Sequence, residues 1–166
     1  MRCAPQNIAE CVVAPAGAAS LLAQRLRRPQ EALVGPLWRA RGTGVAFAVE
    51  PSSLELMADP GQLEQALINL LKNAFEATGA GGSARVEARL VRGSRLRIEV
   101  VDDGSGIPDE LAPHIFTPFY TTKKQGGGIG LAMVRHLVHE NGGTVRYAIS
   151  LGRGAAGNGA RFVISF

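Results

Sequence analysis

Gly126-Gly127-Gly128-Ile129-Gly130-Leu131 runs directly into the stretch 132–140, and this junction constrains the fold more than any other segment. Leu131, Val134, Leu137 and Val138 recur at helical spacing, and Asn141-Gly142 makes a left-handed stop. Glycines at 126, 128 and 130 allow positive φ and a close approach of backbone to a ligand. A glycine loop feeding a helix N-terminus offers unpaired N–H groups and the positive dipole end, which suits phosphate. The spacing is neither G-x-x-x-x-G-K-[ST] nor G-x-G-x-x-G behind a strand, so the P-loop and dinucleotide readings do not apply. Alone, the stretch is more often an ordinary flexible loop before a helix, and other segments have to decide.

The 166 residues suffice for one domain with a core, and a mean hydropathy of +0.08 fits a soluble globular chain. The net charge of +4 is carried by arginine, with lysine only at 72, 123 and 124. These charges are dispersed and few aromatics interleave with them, so a nucleic-acid partner is disfavoured and a small polyanion fits better. Cys3 and Cys11 have no metal spacing and read as reduced thiols of a cytoplasmic chain. No apolar run approaches ~20 residues, so any membrane attachment is expected only through parent segments outside the chain.

Residues 1–20 read as a linker or truncated upstream element, and 21–166 as the folded domain. Helices are expected over 20–28 and 30–41, with Pro36 imposing a kink or late start. Alternation predicts strands at Val45–Val49 and Leu54–Met57. Asp59-Pro60-Gly61-Gln62 starts a helix with Asp59 as cap, Pro60 at the first position and Gln62 as capping-box partner. Leu63, Ala66, Leu67, Leu70, Leu71 and Ala74 carry its buried stripe to about Thr78. An antiparallel hairpin follows, 84–91 and 95–102, turning at Arg92-Gly93-Ser94. Residues 103–126 hold no period and form a long loop, of a length that is usually functional or disordered. Strands around Val145–Ile149 and Phe162–Phe166 flank the glycine-rich loop 152–159. About six strands and three helices predict an α+β fold, a two-layer sandwich of a mixed, mostly antiparallel sheet with the helices on one face.

Asn69 and Asn73 lie four apart, hence on one helix face, beside the buried stripe. They are either two satisfied amides at the edge of the core or oxygen ligands for a hard cation such as Mg²⁺. Asp102 ends an apolar strand and opens Asp102-Asp103-Gly104-Ser105-Gly106-Ile107. This is an Asx-turn, or a carboxylate that accepts an exocyclic amine within a turn wrapping a planar ligand. Ile115 to Lys123 places bulky residues inside the long loop, as a flap over core or as a lid whose Thr122 and Lys123 reach phosphates.

Asn-x-x-x-Asn, Asp-x-Gly-x-Gly, Phe-x-Pro-Phe and Gly-x-Gly-x-Gly-Leu, in this order, resemble the N, G1, F and G2 boxes of the GHKL ATP-binding superfamily. The match is best to the catalytic and ATP-binding domain of sensor histidine kinases and covers roughly residues 30–166. The Thr-Thr-Lys ending is similar to the nitrogen-regulation and dicarboxylate-sensor kinases. The resemblance implies the Bergerat fold, ATP and Mg²⁺ as cofactors, and a protein histidine kinase activity. Asn73, assisted by Asn69, would hold the metal. Asp102 would accept the adenine amino group, with Gly104, Gly106 and Ile107 shaping that turn. Thr122 and Lys123 would meet the phosphates from a lid over 107–127, and Gly126, Gly128, Ile129, Gly130 and Leu131 would supply backbone N–H groups. Two positions depart from the family pattern: Glu76 stands where Lys or Arg is common, and Ala160 lacks a frequent hydroxyl.

The gyrase, mismatch-repair and chaperone branches carry Glu where Asn69 stands. A carboxylate can activate water and an amide cannot, so the Asn favours phosphoryl transfer to an imidazole over hydrolysis. His114, His136 and His139 do not sit in the phosphoacceptor context of the family. The expected partners are therefore a separate dimerisation and phosphoacceptor domain of the parent protein and a response regulator downstream. A non-catalytic nucleotide-binding module and a GHKL ATPase are the rival readings.

Overall fold

The helix predicted behind Asp59 organises the core. In the computed structural model, which describes residues 26, 34–42, 44–51, 54, 56–92, 95–122, 127–150 and 159–166, it runs Pro60–Ala77 (α2). Leu63, Ala66, Leu67, Ile68, Leu70, Leu71 and Ala74 are buried along it. At about 1.5–3 kcal/mol for each large apolar side chain removed from water, this stripe is a main source of stability. A shorter helix, Gly35–Ala40 (α1), precedes it and sets Trp38 edge-on against Phe75 at 5.4 Å. A third, Gly130–Glu140 (α3), packs beside α2 through Val134 and Val138.

Five strands form one sheet in the order β1-β2-β3-β5-β4. They are β1 Val45–Glu50, β2 Ala84–Val91, β3 Arg95–Asp102, β4 Thr144–Ser150 and β5 Gly159–Ser165. β1 and β2 run parallel because α2 crosses between them; every other pair is antiparallel. β5 inserts between β3 and β4, although it comes last in the chain. Ala84, Val86 and Ala88 of β2 turn inward, while Arg85, Glu87 and Arg89 line the opposite face, the alternation of a sheet covered on one side. There Glu99 of β3 is buried beneath Arg89 (3.0 Å) and Arg97 (3.9 Å), which offset the cost of taking a carboxylate out of water.

The expected α+β sandwich, with a mixed and mostly antiparallel sheet, is therefore present, and two predictions, the strand at 54–57 and the capping box, need correction. Among the described residues of 54–57 there is no strand. Leu54 turns into the core with its N–H on the Pro51 carbonyl at 3.0 Å, while Met57 faces solvent. Two alternating leucines could not reveal that the sheet ends at β1. The helix expected over 30–41 starts at Gly35, the late start that Pro36 implied; 30–33 and most of 20–28 lie outside the described residues. The capping box at α2 is replaced. Asp59 Oδ1 does accept the Gln62 N–H at 2.9 Å, but Asn141 of α3, not Gln62, takes the Asp59 N–H. Residues 1–20, with Cys3 and Cys11, the turn at 93–94 and the loop 151–158 also lie outside the described residues.

Candidate nucleotide site

Asn69, Asn73, Asp102, Gly106, Ile107, Thr122, Gly128, Ile129, Gly130 and Leu131 line one cleft of about 540 Å³, within the range of small-ligand pockets. Residues from five segments far apart in sequence meet there. Gly104 is just behind the wall, and Lys123 and Gly126 lie outside the described residues.

One end of the cleft is built around Asp102, 4% exposed at the end of β3. Its Oδ1 accepts N–H bonds from Gly104 at 2.9 Å and, because β5 is inserted beside β3, from Ala160 at 3.2 Å. The bond to Gly104 is the Asx-turn reading; Oδ1 serves the loop, and Asp102 also lines the cleft, the geometry that the ligand reading requires. Burial raises the Asp102 pKa above its ordinary 3.8, the two N–H bonds pull it down, and neighbouring Asp103 adds a smaller upward push. Asp103 itself is structural, with both oxygens on Ser83 at 2.8 Å. The turn is pressed against the C-terminus of α2: Ser105 N–H bonds Ala77 O at 3.2 Å, and a Cβ on Gly104 would fall 2.6 Å from that oxygen. Only glycine permits this approach, which sets the base of the Asp102 turn against the last turn of the asparagine helix. Ala160, the position without a hydroxyl, is buried and forms part of the wall.

The middle of the cleft belongs to α2. Asn69 and Asn73 are half-buried on its cleft face, and the Asn69 Nδ2 is buried with no acceptor among the described residues. An orphaned amide of this kind costs about 1–3 kcal/mol unless something else fills the gap. Its position suits a group supplied from outside, either a phosphate oxygen or, with the amide turned, a cation. Among the described residues no cluster of three or more His, Cys, Asp or Glu exists. Amide oxygens supplemented by water and phosphate fit Mg²⁺, which does not need an all-protein cage. Lys72 and Glu76, exposed at the rim, join the lining.

The far end is the N-terminus of α3. Ile129 occupies the cap position without a side-chain cap bond, so the first N–H groups of the helix stay open for an anion. Of the three glycines expected to exploit positive φ, Gly128 does so (+65°), Gly130 is helical, and Gly126 lies outside the described residues. A Cβ on Gly128 would sit 2.5 Å from the Phe119 carbonyl carbon, and Phe119 donates its N–H to Gly128 O at 2.9 Å. Phe119 itself has φ +64° and is 78% exposed. The apolar run 115–120 thus divides: Ile115 is core, Phe116 packs edge-on to Phe162 at 6.3 Å, and Phe119 faces solvent. Tyr120, Thr121 and Phe162, not singled out from sequence, also line the cleft; hydrophobic alternation identified Phe162 only as core.

Comparison with known proteins agrees with this fold. The family described as histidine kinase-, DNA gyrase B- and HSP90-like ATPase matches residues 58–166. The sensor histidine kinase ZraS of Klebsiella oxytoca is 37% identical over 116 residues, covering 70% of this chain and 25% of ZraS. The sensory histidine kinase/phosphatase NtrB of Rhodobacter capsulatus is 39% identical over 116 residues, 63% of this chain and 33% of NtrB. The chain thus spans about a quarter to a third of the length of these curated relatives. Among solved structures, the catalytic domain of histidine kinase ThkA superposes with a TM-score of 0.75 at 32% identity, over 87% of this chain and 91% of that one. Full-length ShkA in complex with AMPPNP gives 0.74 at 32% identity, over 89% and 30%. ThkA in complex with response regulator protein TrrA gives 0.71 at 29% identity, over 87% and 40%.

Proposed function

This chain belongs to the histidine kinase-, DNA gyrase B- and HSP90-like ATPase family, as an ATP-binding catalytic domain of the sensor histidine kinase kind, and from that premise we propose that it transfers the γ-phosphoryl group of ATP to a histidine on a separate helical domain of its parent protein. One observation carries the reading: the strand-end carboxylate, the two helix amides and the uncapped α3 N-terminus line a single cleft.

In this reading the free oxygen of Asp102 accepts the adenine amino group, and Ile107 and Gly106 shape the wall beside the base. The N–H groups from Gly128 to Leu131 and the dipole of α3 take the phosphates, with Thr122 and Lys123 closing from the lid. Asn73, assisted by Asn69, holds Mg²⁺, which when bound offsets charge on the phosphoryl oxygens. Asn69 cannot accept a proton at neutral pH, so water is poorly activated, whereas a neutral imidazole needs no base to attack. The AMPPNP bound to ShkA supports a nucleoside triphosphate ligand, and the ThkA–TrrA complex supports a response regulator downstream. Phe119, Ile129 and Met133 form an exposed apolar rim at the phosphate end, suited to an apolar helical face. The helical phosphoacceptor domain, supplied by parent sequence beyond this quarter-length match, would cover it. ATP availability sets this chemistry in the cytoplasm; among the described residues no helix is long and apolar enough to cross a membrane.

Mixing the chain with the parent's helical segment and γ-labelled ATP should give an acid-labile, base-stable phosphohistidine on that segment, lost with Asn73→Ala. ATP binding without any such product would make the domain a non-catalytic nucleotide binder. A second reading is hydrolysis by the domain alone. Steady phosphate release by the isolated chain, abolished in Asn69→Ala, would establish that reading instead.

A further inference from the structure

We infer that Tyr147, which does not line the cleft, is a positioning residue that sets its base end by clamping Ile107. The inference rests on the nucleotide reading above and goes beyond it to a residue outside the four sequence boxes. Ile107 follows Gly106 (φ +68°) in the turn leaving β3, and both line the cleft. The Tyr147 hydroxyl accepts the Ile107 N–H and donates to the Ile107 carbonyl, both at 3.2 Å. One hydroxyl, with one proton and two lone pairs, therefore satisfies both backbone groups of a loop residue 40 positions away.

The clamp is held rigidly. Tyr147 and Phe162 are register partners on β4 and β5, with ring centroids 5.7 Å apart, and Phe162 in turn meets Phe116 edge-on. Two residues before Phe162 on β5, Ala160 donates to Asp102. The same strand register thus anchors both ends of the turn, Asp102 through Ala160 and Ile107 through Tyr147. Between them Gly104 and Ser105 are tied to Asp102 and to α2. Without the hydroxyl, the Ile107 end is the one left loose, and the base wall loses its fixed distance from Asp102. A phenylalanine there would keep the aromatic packing and remove only the oxygen.

The test uses the full chain and Tyr147→Phe, with Mg-ATP and Mg-tripolyphosphate as probes. Tripolyphosphate engages the phosphate end only, so its Kd should be unchanged, while the Kd for ATP should rise about tenfold, the effect of one lost positioning bond. A purely structural hydroxyl would weaken both probes equally or neither, and either result in a folded variant overturns the inference. Amide exchange of Ile107 in the nucleotide-free wild type gives a reading that needs no variant: protection comparable to β4 is expected, and exchange at the rate of an open loop refutes the clamp. If the wild type binds neither probe, the nucleotide reading itself has failed; if it binds both and Tyr147→Phe matches it, only the clamp has.

Discussion

Asn141 caps a helix to which it does not belong: its Oδ1 accepts the backbone N–H of Asp59, 82 residues earlier, at 2.6 Å. Its Nδ2 donates to Gln62 Oε1 and Leu137 O, each at 2.8 Å. The C-terminus of α3 is thereby bolted to the N-terminus of α2, and the two helices carry the glycine end and the asparagines of the cleft. Removing the amide in Asn141→Ala should cost about 2–3 kcal/mol, three partly buried bonds at roughly 1 kcal/mol each. Gln62→Ala, which removes one of the three, should cost about 1 kcal/mol. Urea unfolding of both variants checks the ratio; equal losses would mean that the amide does not couple the helices.

Asp102→Asn separates folding from binding. Because the folded-state pKa is raised by burial, the native protein holds the Asp102 proton more tightly than the unfolded chain does. As pH rises from 3.8 through the raised value, the ionised carboxylate therefore subtracts stability, and the loss is constant above it. At pH 7 the neutral Asn variant should be at least as stable as the wild type, with the gap closing as the pH falls through that window. Its amide would turn a donor toward the adenine amino group, and ATP affinity should fall about 100-fold, near 2.7 kcal/mol. Melting curves with and without Mg-ATP across pH report both effects. A variant that is less stable at pH 7 yet still binds ATP contradicts both halves.

Gly128 and Gly130 should respond oppositely to alanine. Gly128→Ala forces a left-handed non-glycine residue, about 1–2 kcal/mol, and drives a Cβ into the Phe119 backbone. Nucleotide affinity should drop at least tenfold as the lid base shifts. Gly130 is helical and open around its Cβ position, so Gly130→Ala should change the nucleotide-free stability by less than about 0.5 kcal/mol. Calorimetric titration with ATP checks the first and thermal melting the second.

Arg41 closes the other end of α2. Its Nη1 donates to Phe75 O at 2.7 Å and Thr78 O at 2.9 Å, and the guanidinium lies 3.6 Å above the Phe75 ring. Arg41→Ala should destabilise by about 1–2 kcal/mol. Arg41→Lys should recover less than half, since an ammonium lacks the planar fork and the stacking face. Denaturation midpoints at constant slope decide between them.

Much of the cleft was readable beforehand. The N-cap of α2 at Asp59, its stripe and the two asparagines four apart are properties of local spacing, and they appear as read. The hairpin 84–102 appears as read for the same reason. Tyr147 looked like one more inward strand residue, and Asn141 like a plain helix stop; each acts on backbone 40 to 82 positions away, and no local pattern encodes such a partner. The strand assigned to 54–57 failed because four alternating residues carry the same pattern whether or not a sheet edge is there to receive them.

The long helices and strands around the cleft, and the identity of the amides, carboxylate and glycines, follow from the chain alone, because side-chain period, caps and backbone freedom act over a few residues. Tertiary structure decided that β5 lies beside Asp102, that one oxygen of that carboxylate accepts two backbone N–H bonds, and that an aromatic hydroxyl holds the facing loop. Strand insertion, desolvation and long-range capping depend on which distant surfaces come to share a boundary, and that is settled only when the whole core packs at once.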